Sequence, residues 1–233
     1  MLIMKGGTIT DNRADDTAGA IYCDSSGTFS IENVTIANNT AVNNGGAMNL
    51  HMEQNSYIGN TEISGNRTED GNGGAIRMQE NGKTLTIKGA KIQGNTASDN
   101  GGGIFAESGI LEIIGCELTG NSATDGGAIY NDGCTITVCA DGQTPTLLDT
   151  NIASGSGGGV CLYDGKSVIT ADFRNNKASA NGGAVFIDEG AEAVLDGGNY
   201  TGNSAFLEGG GVYVGDSSGS IVLQGAISFS DGT

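Results

Sequence analysis

Hydrophobic residues alternate with polar or small ones over short runs of this chain, and the runs recur. In KTLTIKGAKIQGN (residues 83–95), Leu85, Ile87 and Ile92 stand between polar residues; after Gly127 the order is Ala128, Ile129, Tyr130, Asn131. A period of two, broken by Gly, Asn and Asp clusters, predicts strands joined by tight turns. A hydrophobe after Gly-Gly-Ala/Gly, or a close variant, falls at Ile21, Met48, Ile76, Ile104, Ile129, Val160, Val185 and Val212, in steps of 27, 28, 28, 25, 31, 25 and 27 residues. An Asn with a hydrophobe three positions before it falls at Asn12, Asn39, Asn66, Asn95, Asn121, Asn151, Asn176 and Asn203. A small residue follows two positions later each time: Ala14, Ala41, Thr68, Ala97, Ala123, Ala153, Ala178 and Ala205. Two columns sharing one period are the mark of a repeat architecture.

Each repeat has room for three short strands and three bends. Stacking such coils buries a continuous core that one coil could not bury alone. The expected fold is therefore all-β: a right-handed, single-stranded parallel β-helix of about eight coils of roughly 27 residues. At ~4.8 Å between stacked strands, such a rod is roughly 40 Å long. The Asn column is expected to form a hydrogen-bonded ladder, because a side-chain amide both donates and accepts; the Ala column beside it reads as a tight corner. LIMKGGTITDN (residues 2–12) aligns with LTIKGAKIQGN (residues 85–95), and the chain leaves after IVLQGAISFSDGT without a polar cap. Residues 1–233 thus read as one continuous, uncapped segment excised from a longer stalk.

Gly73-Gly74-Ala75-Ile76 and Gly126-Gly127-Ala128-Ile129 resemble the GGAI signature of the chlamydial polymorphic outer membrane protein repeats, and Phe173-Arg174-Asn175-Asn176 resembles their FxxN signature. Most coils carry Ile9, Ile36, Ile63, Ile92, Leu118, Leu148 or Tyr200 in place of that Phe. In pattern, nearly the whole chain is similar to bacterial and archaeal right-handed β-helix adhesins. The resemblance implies a segment of a secreted or cell-surface microbial adhesin, acting outside the cell as a rigid stalk and as a binding surface for a host glycan or extracellular protein.

Composition narrows the partners. With 42 glycines, one proline and hydrophobes at 37 %, the chain suits a narrow, continuous core. A formal charge of −17 leaves no basic stripe for nucleic acid and disfavours an anionic membrane surface. No apolar run approaches the ~18 residues of a membrane helix, so direct membrane insertion of this segment is not expected.

Candidate chemistry follows from strand alternation. If Ile129 and its equivalents point inward, the next residues point outward: Tyr22, Asn49, Arg77, Phe105, Tyr130, Cys161, Phe186 and Tyr213. The rings of Tyr22, Phe105, Tyr130, Phe186 and Tyr213 make a candidate platform for sugar rings or a protein partner. Alternatively they pack over the small residues before the inward hydrophobe and shield the strand. Acids follow the same strand at Asp24, Glu53, Glu80, Glu107, Asp132, Asp164, Asp188 and Asp216, and Asp132 and Asp188 join the rings as candidate contacts. Asp16, Asp70, Asp99, Asp125 and Glu208 precede it. Stacked carboxylates would welcome Ca²⁺, but Asp and Gly are what turns favour, and no turn matches a known calcium loop. No cofactor is predicted.

An alternative from another class is a carbohydrate-active β-helix enzyme, a polysaccharide lyase or hydrolase. Its one mixed group of acid, base and cation is Asp24, His51, Arg77 and Glu107, around the single His of the chain. Fold alone does not give function, and no catalytic residue is assigned. A purely structural spacer is a third reading. The five cysteines lack metal spacing: Cys23 and Cys116 read as inward, Cys161 as outward, and Cys134 and Cys139 as too far apart along one strand for an easy disulfide. ADGQTPT (residues 140–146) reads as a loop leaving the rod.

Overall fold

The computed structural model describes residues 1–215 and 219–231, apart from the side chains of Ser25, Glu80, Asn81 and Glu189. Asp216 lies outside the described residues. The chain is a parallel β-solenoid of about eight turns, without a helix among them. Every long strand pairs in parallel with its equivalent one turn away, and inward residues meet their own kind. On the first strand of the turn the register runs Ile21, Met48, Ile76, Ile104, Ile129, Val160, Val185, Val212. On the second it runs Met4, Ile31, Ile58, Ile87, Ile113, Val138, Ile169, Leu195, Leu223. On the third it runs Ile9, Ile36, Ile63, Ile92, Leu118, Leu148, Phe173, Tyr200, Phe229. These three columns converge on one buried core, apart from Leu223 and Phe229 of the last turn, which are exposed. Near its far end, rings replace aliphatics: Phe173 and Tyr200 stack at 4.8 Å between centroids, and Tyr200 and Phe229 at 4.9 Å.

The position expected to be a corner is itself paired. Ala14, Ala41 and Thr68 form one two-residue ladder and Ala123, Ala153, Ala178 and Ala205 another, with Thr96 bridging Arg67 and Ser122 between them. Each turn therefore has a short fourth side, which three strands and three bends did not anticipate.

The Gly-Gly pair has two separate causes. Its first member takes a left-handed backbone, with φ between 65° and 70° at Gly45, Gly73, Gly101, Gly126, Gly157, Gly182 and Gly209. That conformation disfavours a Cβ. Its second member touches the next turn: a Cβ on Gly127 would lie 2.3 Å from the Gly158 carbonyl oxygen, and one on Gly74 would lie 2.3 Å from that of Gly102. Backbone packs on backbone here, turn after turn.

Two positions past the end of each third strand runs an unbroken asparagine column. Asn39 Oδ1 accepts both the backbone N–H and the side-chain amide of Asn12, at 3.0 and 2.8 Å. The same double bond joins Asn39 to Asn66, Asn66 to Asn95, Asn95 to Asn121, Asn121 to Asn151, Asn151 to Asn176, and Asn176 to Asn203. Each inner amide also donates to a core-strand carbonyl, such as Asn121 Nδ2 to Ile92 O at 2.9 Å. Backbone groups that turn away from the sheet at this bend thus find partners, although the residues bearing them are buried.

No disulfide joins the five cysteines among the described residues; Cys23, Cys116, Cys134 and Cys161 are buried. Cys161, expected on the surface, is covered together with Phe105 and Tyr130. Residues 140–145 leave the rod and fold back at once, Asp141 and Thr144 exchanging backbone hydrogen bonds of 2.9 and 3.0 Å; Thr146, expected in this loop, is instead buried and paired with Ala171.

Candidate binding face

The outward column of the first strand does not form one exposed platform. Tyr22 is 58 % exposed, but Phe105 and Tyr130 are buried, and Phe186 and Tyr213 are half-buried. Phe105, Tyr130 and Cys161, with Phe186 against them, form a second small hydrophobic cluster outside the core. The physical reason lies in the incoming Gly-Gly turn, which folds back on the root of this column. The Cβ directions of Gly157, Gly182 and Gly209 point within 2.8 Å of Cβ of Cys161, Phe186 and Tyr213. Neighbours one turn away cover the ring faces: Phe105 and Tyr130 stack at 5.5 Å and 13°, Phe186 and Tyr213 at 5.4 Å and 3°. Of the five rings expected to face a ligand, Phe105 and Tyr130 are instead packing residues; shielding of the strand is their main work. Burial, with Cys161 and Asp132 nearby, pushes the Tyr130 hydroxyl far above its ordinary value, so it stays protonated.

A ring not singled out by the repeat pattern takes the exposed place. Tyr163 is 51 % exposed and stacks on Tyr130 at 6.1 Å and 21°. It reaches that place through a register slip. Asn131 pairs with Leu162 and Asp132 with Asp164, so Tyr163 has no opposite in the preceding turn. Such a slip re-aims a side chain. Its signal in the sequence is the spacing: Val160 to Gly165 is one residue longer than Ile129 to Gly133.

Tyr163 opens onto a cleft of about 330 Å³ that it lines with Asp164, Asp188 and Gly190. Asp188, a candidate contact from the sequence, is thus brought to the exposed ring. Asp132 stands beside Asp164 across the register and is not among the cleft-lining residues. Burial, and then Glu107 and Asp164 nearby, raise the Asp132 carboxyl above its ordinary value.

Asp24, Glu107, Asp16 and Asp125 have partners among the described residues, and Asp164 itself accepts a 2.6 Å bond from the Gly165 N–H. Asp24 lies 3.7 Å from His51 Nδ1, both largely exposed. Glu107 pairs with Arg77 and accepts a 3.0 Å bond from Gln79. Asp16 accepts from Asn43 at 2.6 Å and Asp125 from the Ser156 amide at 2.5 Å. The mixed group Asp24, His51, Arg77 and Glu107 therefore resolves into two separate pairs, and among the described residues no second carboxylate joins Asp24 beside His51. Among the described residues, no three His, Cys, Asp or Glu side chains converge as a metal-binding group. No helix among them is long and apolar enough to cross a membrane, which says nothing of a β-barrel.

Fold and turn chemistry together define the class: a parallel β-solenoid of stacked turns tied by an asparagine ladder and Gly-Gly bends. Residues 90–107, 115–132 and 170–188 match the Chlamydia polymorphic membrane protein (Chlamydia_PMP) repeat. Each stretch carries one ladder Asn and one Gly-Gly pair, the two features whose physical causes are given above. Among similar proteins, the probable outer membrane protein pmp8 of Chlamydia pneumoniae is 33 % identical over 141 residues, 55 % of this chain and 15 % of that protein. The probable outer membrane protein pmp20 of the same organism is 30 % identical over 179 residues, 65 % of this chain and 10 % of that protein. The chain thus spans a small part of these relatives. No solved structure gives a significant match.

Proposed function

We propose that this chain is a segment of a cell-surface, adhesin-like protein, serving as a rigid stalk and offering a binding surface to a host glycan or extracellular protein. The observation that carries the reading is the repeat match on a solenoid whose recurring Asn and Gly positions are stacking chemistry, in a chain similar to proteins named as outer membrane proteins. The contact surface is assigned to the corner after the first strand, where exposed Tyr163 and Asp164 and half-buried Asp188 line one cleft. Tyr22 and Tyr213 are secondary contacts at other turns.

The test is binding of the purified segment to a panel of host glycans and extracellular-matrix proteins, beside a variant with Tyr22, Tyr163 and Tyr213 changed to Ser. These rings are exposed or half-buried, so the variant is expected to fold. A hit lost in the folded variant supports the reading. Silence across the panel would reduce the segment to a spacer.

A further inference from the structure

The outward rings Phe105, Tyr130 and Tyr163 climb three successive turns as one stack, and the stack stops at Tyr163. In the seventh turn the residue paired with Asp164 is Gly190. A Cβ there would come within 2.8 Å of Asp164 Oδ1, so the missing side chain leaves the space beside that carboxylate open. The result is the 330 Å³ cleft with an exposed ring and Asp164 on one side and Asp188 and Gly190 on the other. Among the described lining residues, every side-chain polar group apart from the phenol is an acceptor. The nearest lysine along the strand, Lys166, is engaged at 2.8 Å with Glu192 and does not line the cleft.

We propose that this cleft takes the guanidinium of an arginine side chain from a partner protein, laid over the free face of Tyr163 and hydrogen-bonded by Asp164 and Asp188. This rests on the reading of the corner as a protein-contacting surface, and names the ligand chemistry. Sugar hydroxyls donate and accept, and a site of this kind would offer them donors as well. A ligand that only donates, is planar and carries charge fits a ring with flanking carboxylates. The formal charge of −17 draws such a partner from a distance. The buried Tyr130 and Phe105 beneath hold the exposed ring in place, which spares part of the ordering cost of binding.

The probe is an acetylated, amidated penta-arginine peptide, titrated calorimetrically into the full chain at about 150 mM salt, where long-range attraction is screened. Tyr163→Ser is expected to weaken binding about five-fold, within the range of a cation over a partly exposed ring. Asp164→Asn with Asp188→Asn should weaken it about ten-fold, and Gly190→Leu should block it while keeping both charge and ring. Asp70→Asn with Asp99→Asn, which removes the same charge elsewhere on the rod, should leave binding unchanged. Equal loss in that control pair would overturn the site in favour of diffuse attraction, as would unchanged binding in Tyr163→Ser and Gly190→Leu. Absence of any peptide binding would also overturn it. If the peptide fails while the glycan and matrix panel still gives a hit, the arginine site alone is lost; if both fail, the binding-surface reading falls with it.

Discussion

An orphaned hydroxyl lies in the hydrophobic core at Tyr200. Its ring is sandwiched between Phe173 and Phe229, and its oxygen has no hydrogen-bond partner among the described residues. A buried polar atom without a partner costs about 1–3 kcal/mol, so Tyr200→Phe is expected to raise the unfolding free energy by about 1 kcal/mol in a urea melt. The ladder asparagines behave in the opposite way. Asn121→Ala would strip the Asn95 amide and backbone N–H of their acceptor and Ile92 O of a donor, all at buried residues. A loss of about 3 kcal/mol is expected by the same measurement, and a smaller loss for Asn12→Ala at the exposed end. Asp132 gives a pH signature. Its carboxyl ordinarily titrates near 3.8 and is raised in the folded chain. The unfolded chain therefore gives up this proton first, and the native state is penalised progressively as pH rises above 3.8 and fully once pH exceeds the raised value. Asp132→Asn should raise Tm at pH 7, and the gain should shrink as pH falls through the raised value toward 3.8. A gain that is constant with pH would contradict this assignment.

At the scale of the element, the Gly-Gly turn separates what the sequence makes legible from what it does not. Gly127→Ala would drive a Cβ against the Gly158 carbonyl oxygen and the Ile152 nitrogen; backbone cannot yield there, and the variant is expected not to fold as judged by far-UV circular dichroism. In the first turn the left-handed place is held by Ala18, at φ 60°. Ala18→Gly should therefore gain up to about 1 kcal/mol, read as a shift in the urea midpoint. Recurrence at one period exposed the strands, the core columns and the asparagine column, because stacking demands the same residue at the same place in every turn. Alternation also placed Phe105 and Tyr130 outward correctly. It could not show that a glycine turn folds over their roots, since that contact joins segments whose side chains are absent. Tyr163 escaped for a related reason: it owes its exposure to a slip in register, and a column read by period averages such slips away. The two-residue fourth side was read as a bend because two residues are too few to show alternation.

For the whole molecule, one geometric fact has a mechanical meaning. Strands run around the rod, so the backbone hydrogen bonds and the asparagine column run along it, parallel to any pull between the two ends. Load applied to such a tether does not shear many bonds at once; it opens the outermost turn, then the next. One turn occupies ~4.8 Å of the rod, whereas its roughly 27 residues, drawn out at ~3.4 Å each, span ~90 Å. Single-molecule stretching is expected to show a train of similar peaks spaced by ~85 Å, in place of one large rupture. A surface protein strung on such turns would lengthen stepwise when its cell is dragged by flow, holding its grip at nearly constant tension while the contact survives.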